Sequence, residues 1–101
     1  MQNFHSKSMN DLYRSFLLLE TEDECRAFLE DLCTIKELQD MAQRLETARL
    51  LSEGKNYQEI SREVGISSTT ISRVSRCLNY GDGGYETVIS RLDGRVNNNE
   101  V

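Results

Sequence analysis

Ser68, Thr69, Ser72, Arg73 and Arg76 share one side of a helical repeat, with short hydroxyls at its start and long cations later. A Ser or Thr hydroxyl can hydrogen-bond to the edge of any base, and an Arg can pair with guanine through two bonds or neutralise a phosphate. Nothing bulky stands at the leading end, so a helix built this way can enter a major groove. On its other side Ile71, Val74 and Leu78 recur at spacings of three and four, which makes a buried stripe.

Such a helix needs a scaffold, and residues 56–79 provide one. Asn56 is placed to cap a first short helix, and Glu59, three residues on, completes a capping box. Ile60 and Val64 share a face of that helix. Gly65 ends it in the left-handed conformation, where a side chain would be strained. Ile66 plugs the turn, and Ser67 caps the second helix. This is the pattern of a helix-turn-helix. The plainer alternative is a helical hairpin with solvated Ser and Arg. Two caps, a Gly turn and a hydroxyl/Arg outer face in one short stretch favour the motif. In it, Lys55, Gln58 and Arg62 are the phosphate candidates of the first helix. Ser68, Thr69, Thr70, Ser72 and Arg73 face base edges, with Arg76 nearer a phosphate, and Ser67 at the cap completes the DNA-binding set.

Charge is distributed in keeping with that reading. The 101 residues carry a net charge of -5. Residues 1–53 hold 6 cations against 11 acids, and residues 80–101 hold 2 against 4. Residues 54–79 alone are positive, with Lys55, Arg62, Arg73 and Arg76 against Glu59 and Glu63. Phosphate contact depends on the local field, yet the acidic total implies weak non-specific DNA binding at physiological salt. The length indicates one domain. With 38% hydrophobic residues, 7% aromatics and no Trp, one copy has a thin core, which oligomerisation would complete.

Other chemistries find little support. His5 is the only histidine and has no nucleophile or carboxylate cluster beside it in sequence, so it reads as a solvated tail residue. Cys25, Cys33 and Cys77 form no metal-binding spacing and read as small buried hydrophobes in a reducing cytoplasm. The acids Glu20, Glu22, Asp23 and Glu24 suit a helix N-terminus and lack the Gly turn of a calcium loop. Gly81, Gly83 and Gly84 break a helix but lack the Lys-Ser/Thr of a phosphate loop. No catalytic constellation, metal site, signal peptide or membrane span is expected.

The remaining chain reads as helix, without proline and with little Gly before residue 81. Leu12, Tyr13, Phe16, Leu17 and Leu19 recur over residues 8–19. Thr21 with Glu24 boxes a second helix bearing Phe28, Leu29 and Leu32. Thr34 with Glu37 opens the longest, which ends at Gly54. Its stripe is Leu38, Met41, Leu45, Ala48 and Leu50 or Leu51, widened by Ile35 and Ala42. Arg44 and Arg49 lie outside it, where acids at helical spacing, such as Asp40 for Arg44, could pair with them. A last helix covers residues 85–92, with Tyr85, Val88, Ile89 and Leu92 apolar; Gly94 ends it, and residues 94–101 form a flexible tail. Residues 8–53 are thus assigned to dimerisation, 56–79 to the motif and 80–93 to a closing loop and helix.

Thr34 with Glu37, Arg44, the run Arg49-Leu50-Leu51 before Gly54, Gln58-Glu59-Ile60, and Gly65 followed by Thr69-Thr70-Ile71-Ser72-Arg73 together resemble the Trp repressor family. Tyr80-Gly81-Asp82-Gly83-Gly84-Tyr85 points to its YerC/YecD branch. The resemblance covers about residues 10–92. It implies an all-α fold of about six helices per chain and an intertwined homodimer presenting two reading heads; Trp repressor is itself one of the proteins from which helix-turn-helix docking is known. It also implies an effector pocket at Thr34, Arg44, Arg73, Val74 and Cys77. The first three keep the family's residue type. Val74 replaces a Gly that admits the indole, and Cys77 replaces a Ser that receives the ligand's amino group.

The expectation is a cytoplasmic homodimer that binds double-stranded DNA sequence-specifically as a transcriptional regulator, a repressor, with no enzymatic activity. No cofactor is expected beyond a small anionic or amino-acid effector other than tryptophan. The alternative is a protein-interaction module of the transcription machinery that uses the helical dimer without reading DNA.

Overall fold

A computed structural model describes residues 6–99, with side chains through Gly94; His5 and residues 100–101 lie outside the described residues. It contains six helices and, among the described residues, no strand: α1 (Lys7–Leu18), α2 (Glu22–Leu32), α3 (Ile35–Ser52), α4 (Tyr57–Val64), α5 (Ser68–Tyr80) and α6 (Gly84–Asn99). Local chemistry explains most of their ends. Ser6 caps α1, its hydroxyl accepting from the Met9 amide. Thr21 caps α2, but the Glu24 carboxylate accepts from the amide of Glu20, one residue before the cap, at 2.8 Å. Thr34 and Glu37 form a reciprocal box, each accepting from the other's backbone amide at 3.1 and 2.8 Å. At the far end of α3, Gly54 (φ 88°) lets its own amide reach Leu51 and the Lys55 amide reach Leu50, the paired bonds of a Schellman stop.

The chain packs as two compact units, Met1–Leu38 and Gln39–Val101. The division falls inside α3, whose later residues Leu45, Ala48, Leu50 and Leu51 join the apolar clusters of the second unit. In the first unit Phe16 and Phe28 meet edge to face, with ring centres 5.8 Å apart. No residue of α1 or α2 is buried, and Leu17 and Leu18 are 83% and 77% exposed. The apolar stripe of α3 is likewise covered only in part: Ile35, Met41 and Ala42 are exposed, while Ala48 and Leu50 are buried.

The second unit has two apolar clusters. Leu50, Ile60 and Ile71 are buried together, with Leu51, Val64 and Ile66 against them. Ala48, Val74 and Ile89 form the other, flanked by Leu45, Leu51 and Tyr85. Ile89 therefore anchors α6, while Val88, also expected on that face, is 47% exposed. Arg49 reaches Asp93 of α6 at 3.2 Å, 44 residues away, and pairs with no acid on its own helix in the bonds seen. α6 continues through Gly94 to Asn99 rather than stopping at Gly94. Gly94 does not take positive φ, and a glycine that stays helical costs only about 1 kcal/mol against Ala, too little to end the helix. The cysteines also depart from expectation. Cys77 is exposed and Cys25 and Cys33 are half-buried, since Cys77 falls beside the Ile71–Val74–Leu78 stripe rather than on it.

Candidate nucleic-acid interface

The turn between α4 and α5 is held by its own polar groups. Asn56 and Glu59 form the full capping box at the start of α4. Gly65 closes the helix at φ 80°, where a non-Gly residue is strained. The Ser61 hydroxyl donates to the Ile66 carbonyl at 2.8 Å, tying α4 to the turn. Ser67 then caps α5, accepting from the Thr70 amide at 3.2 Å. Beneath the turn, Ile60 and Ile71 are wholly buried against Leu50, so the pair of helices stands on α3. Burying two such side chains contributes roughly 3–6 kcal/mol.

This support leaves Ser68, Thr69, Ser72, Arg73 and Arg76 exposed along α5. Ser67 and Thr70 differ from them: their hydroxyls are 3.1 Å apart and serve the cap, and Thr70 is half-buried. Lys55 stands between two carboxylates, 3.9 Å from Glu59 and 4.0 Å from Glu63. Such long, exposed pairs are worth little and leave the ammonium able to move to a phosphate. Arg62, Arg73 and Arg76 make no ion pair among the described residues, whereas Lys7, Arg14, Arg26 and Arg49 are each paired. The positive groups left uncompensated on α4 and α5 thus sit on the outer side of the motif.

The surface also holds a groove that residue spacing alone does not reveal. It encloses about 460 Å³ and is lined by Tyr57, Gln58, Ser61, Arg62 and Ser68. Tyr57 and Ser61 are additions to the candidate residues, although the spacing 57, 58, 61, 62 makes two adjacent i,i+4 rows on α4. A second groove, of about 310 Å³, runs along α3 and α4 over Ala42, Gln43, Glu46, Leu50, Glu63 and Val64. It carries carboxylates and no cation.

The candidate effector residues are distributed over both units. Thr34 lies in the first, where its hydroxyl caps α3. Arg44, Arg73, Val74 and Cys77 lie in the second. Val74 is 2% exposed and clustered with Ala48 and Ile89; Arg73 adjoins Val74 in sequence, and Arg44 lies four residues before Ala48. Both arginines are exposed, and Arg44 makes no ion pair with Asp40. Among the described residues no three His, Cys, Asp or Glu side chains gather as a metal site. No helix of the described residues is long and apolar enough to cross a membrane.

Comparison with known proteins bears on the family and the fold. The model of the Trp repressor protein family matches residues 7–93. The chain belongs to the Trp repressor family. It is 48% identical over 92 residues to the uncharacterized protein YerC of Bacillus subtilis (strain 168), covering 91% of this chain and 88% of that one. A TrpR-like protein from Eubacterium eligens ATCC 27750 superposes with a TM-score of 0.85 at 41% identity, over 89% of this chain and 93% of that chain. The all-α, six-helix Trp repressor-like fold expected from the residues is the fold observed.

Proposed function

We propose that this Trp repressor-family protein is a homodimeric, sequence-specific DNA-binding transcriptional regulator that represses without sensing tryptophan. The observation carrying the DNA reading is the set Arg62, Arg73 and Arg76: exposed, without an ion pair among the described residues, and mounted with Ser68, Thr69 and Ser72 on a buried helix-turn-helix scaffold. Arg62 and Arg76 with Lys55 and Gln58 contact phosphates. Ser68, Thr69, Ser72 and Arg73 read base edges. Ser67 and Thr70 shape the start of the reading helix.

The homodimer reading rests on α1 and α2. Tyr13, Phe16, Leu17 and Leu18 of α1 are 51%, 46%, 83% and 77% exposed and Leu32 of α2 is 49% exposed, on helices in which no residue is fully buried. A second copy covering them would bury about 2,000 Å² or more, the range of obligate interfaces. A small anionic or amino-acid effector held by Arg44 and Arg73 suits this arrangement, because two uncompensated guanidinium groups favour a carboxylate or phosphate.

The acid-lined groove over Glu46 and Glu63 favours a second reading, a protein-interaction module that docks a cationic partner of the transcription machinery. Salt separates the two. Footprinting on genomic DNA, followed by titration of the best fragment, should show protection in two half-sites and affinity falling linearly in log[salt]. Absence of protection on any fragment overturns the DNA reading. Sedimentation should give a dimer at micromolar concentration; a folded monomer there overturns the assembly.

A further inference from the structure

The groove at the base of the reading helix is lined almost entirely by hydrogen-bond donors left unused. The Tyr57 hydroxyl, the Gln58 amide, the Arg62 guanidinium and the Ser68 hydroxyl make no hydrogen bond or ion pair among the described residues. Only Ser61 is engaged, through its bond to the Ile66 carbonyl. No carboxylate lines the groove, in contrast to its acid-walled counterpart on α3 and α4. Tyr57 is 39% exposed, so its ring rests partly on the protein while its hydroxyl can reach outward. Four donors, one of them a cation, around an open groove suit an oxyanion that carries substituents on either side.

We infer that this groove seats one backbone phosphodiester of duplex DNA, held by the Tyr57 hydroxyl and the Arg62 guanidinium, and that Tyr57 is a positioning residue for the reading helix. The inference rests on the DNA-binding reading and names the contact that sets register. Arg62 supplies charge, and Gln58, its i,i+4 neighbour, supplies further donors. Tyr57 supplies a neutral, directional bond from the first turn of α4. Ser68 begins α5, so a phosphate seated here fixes where the reading helix enters the groove of the DNA.

Because the contact is to the backbone, a mixed-sequence duplex is sufficient for the test. Affinity is measured by fluorescence anisotropy across a salt series for the full chain and three variants. Tyr57→Phe should weaken binding about tenfold, the worth of one hydrogen bond to a charged group, with the salt slope unchanged. Arg62→Gln should lower the slope by about 0.9 for each phosphate it no longer neutralises. Arg14→Gln, a charge-matched change on α1, should alter neither. Inorganic phosphate at matched ionic strength should displace the duplex no better than chloride. Tyr57→Phe binding like the wild type, with duplex binding intact, overturns the groove assignment alone, as does specific competition by phosphate. A wild-type chain without salt-dependent duplex binding overturns both this assignment and the DNA reading.

Discussion

Val74 makes the proposed lack of a tryptophan response testable. Its side chain is 2% exposed and packs with Ala48 and Ile89, flanked by Leu45, Leu51 and Tyr85. In the Trp repressor family a Gly at this position lets an indole lie against the helix backbone. Here that position carries two methyl groups packed with Ala48 and Ile89, and forcing an indole against them would cost about 1–3 kcal/mol of overpacking. Cys77 adds a second deficit. A thiol is a weak partner for an ammonium, so a hydrogen bond to charge worth about 1.5–3 kcal/mol is forfeited. Together these amount to roughly 2.5–6 kcal/mol, or about a hundredfold to ten-thousandfold in affinity. Isothermal titration of the protein with tryptophan should give no heat at tens of micromolar, and tryptophan should leave DNA affinity unchanged. Val74→Gly should restore room but destabilise the fold, by roughly 1.5–3 kcal/mol of lost burial and about 1 kcal/mol for a helical glycine. Val74→Ala is the milder companion, keeping helix propensity while removing both methyls. Wild-type binding at tens of micromolar refutes the steric argument. So does a folded Val74→Gly variant that binds tryptophan no better than the wild type.

Two glycines should respond to Ala for different reasons. At Gly65 an added Cβ meets nothing within 4 Å, so the cost is backbone strain at φ 80°, about 1–2 kcal/mol by urea denaturation. At Gly81, φ is ordinary but a Cβ runs into the Cys77 carbonyl oxygen, which also accepts the Gly81 amide. Gly81→Ala should therefore cost more than Gly65→Ala, and the reverse order would sink this account. Ile71→Ala should lose about 2–5 kcal/mol, because Ile71 is wholly buried against Leu50 and Ile60; a loss under about 1 kcal/mol on the same denaturation curve would show a loose core. Arg76→Ala should weaken binding to all duplexes alike and reduce the salt slope. Thr69→Ala and Ser72→Ala should cost about 1–3 kcal/mol on the preferred site only, judged by comparing specific with mixed-sequence DNA.

The sequence by itself determined the parts governed by bonds within three or four residues. Asn56 with Glu59, Thr34 with Glu37, Ser67 with the Thr70 amide, and the stops at Gly54 and Gly65 are all local chemistry, and each is present where its residues stand. Periodicity likewise marked Ile71 and Val74 as inward, and their neighbours Ser72 and Arg73 as outward. Tertiary structure decided what needed a second element to be in place. A stripe on α3 has the same period along its length, but only the part opposite α4, α5 and α6 is covered in the second unit. Ile89 and Val88 are equally apolar on paper; contact with Val74 and Ala48 buried the first and left the second out. Asp93 was not a visible partner for Arg49, since 44 residues of chain separate them. The groove at Tyr57 exists because Ser68, on the next helix, stands across from α4. Hydrogen bonds of a turn are specified by neighbours in the chain, whereas a cavity or a long-range ion pair is a property of how separate helices pack.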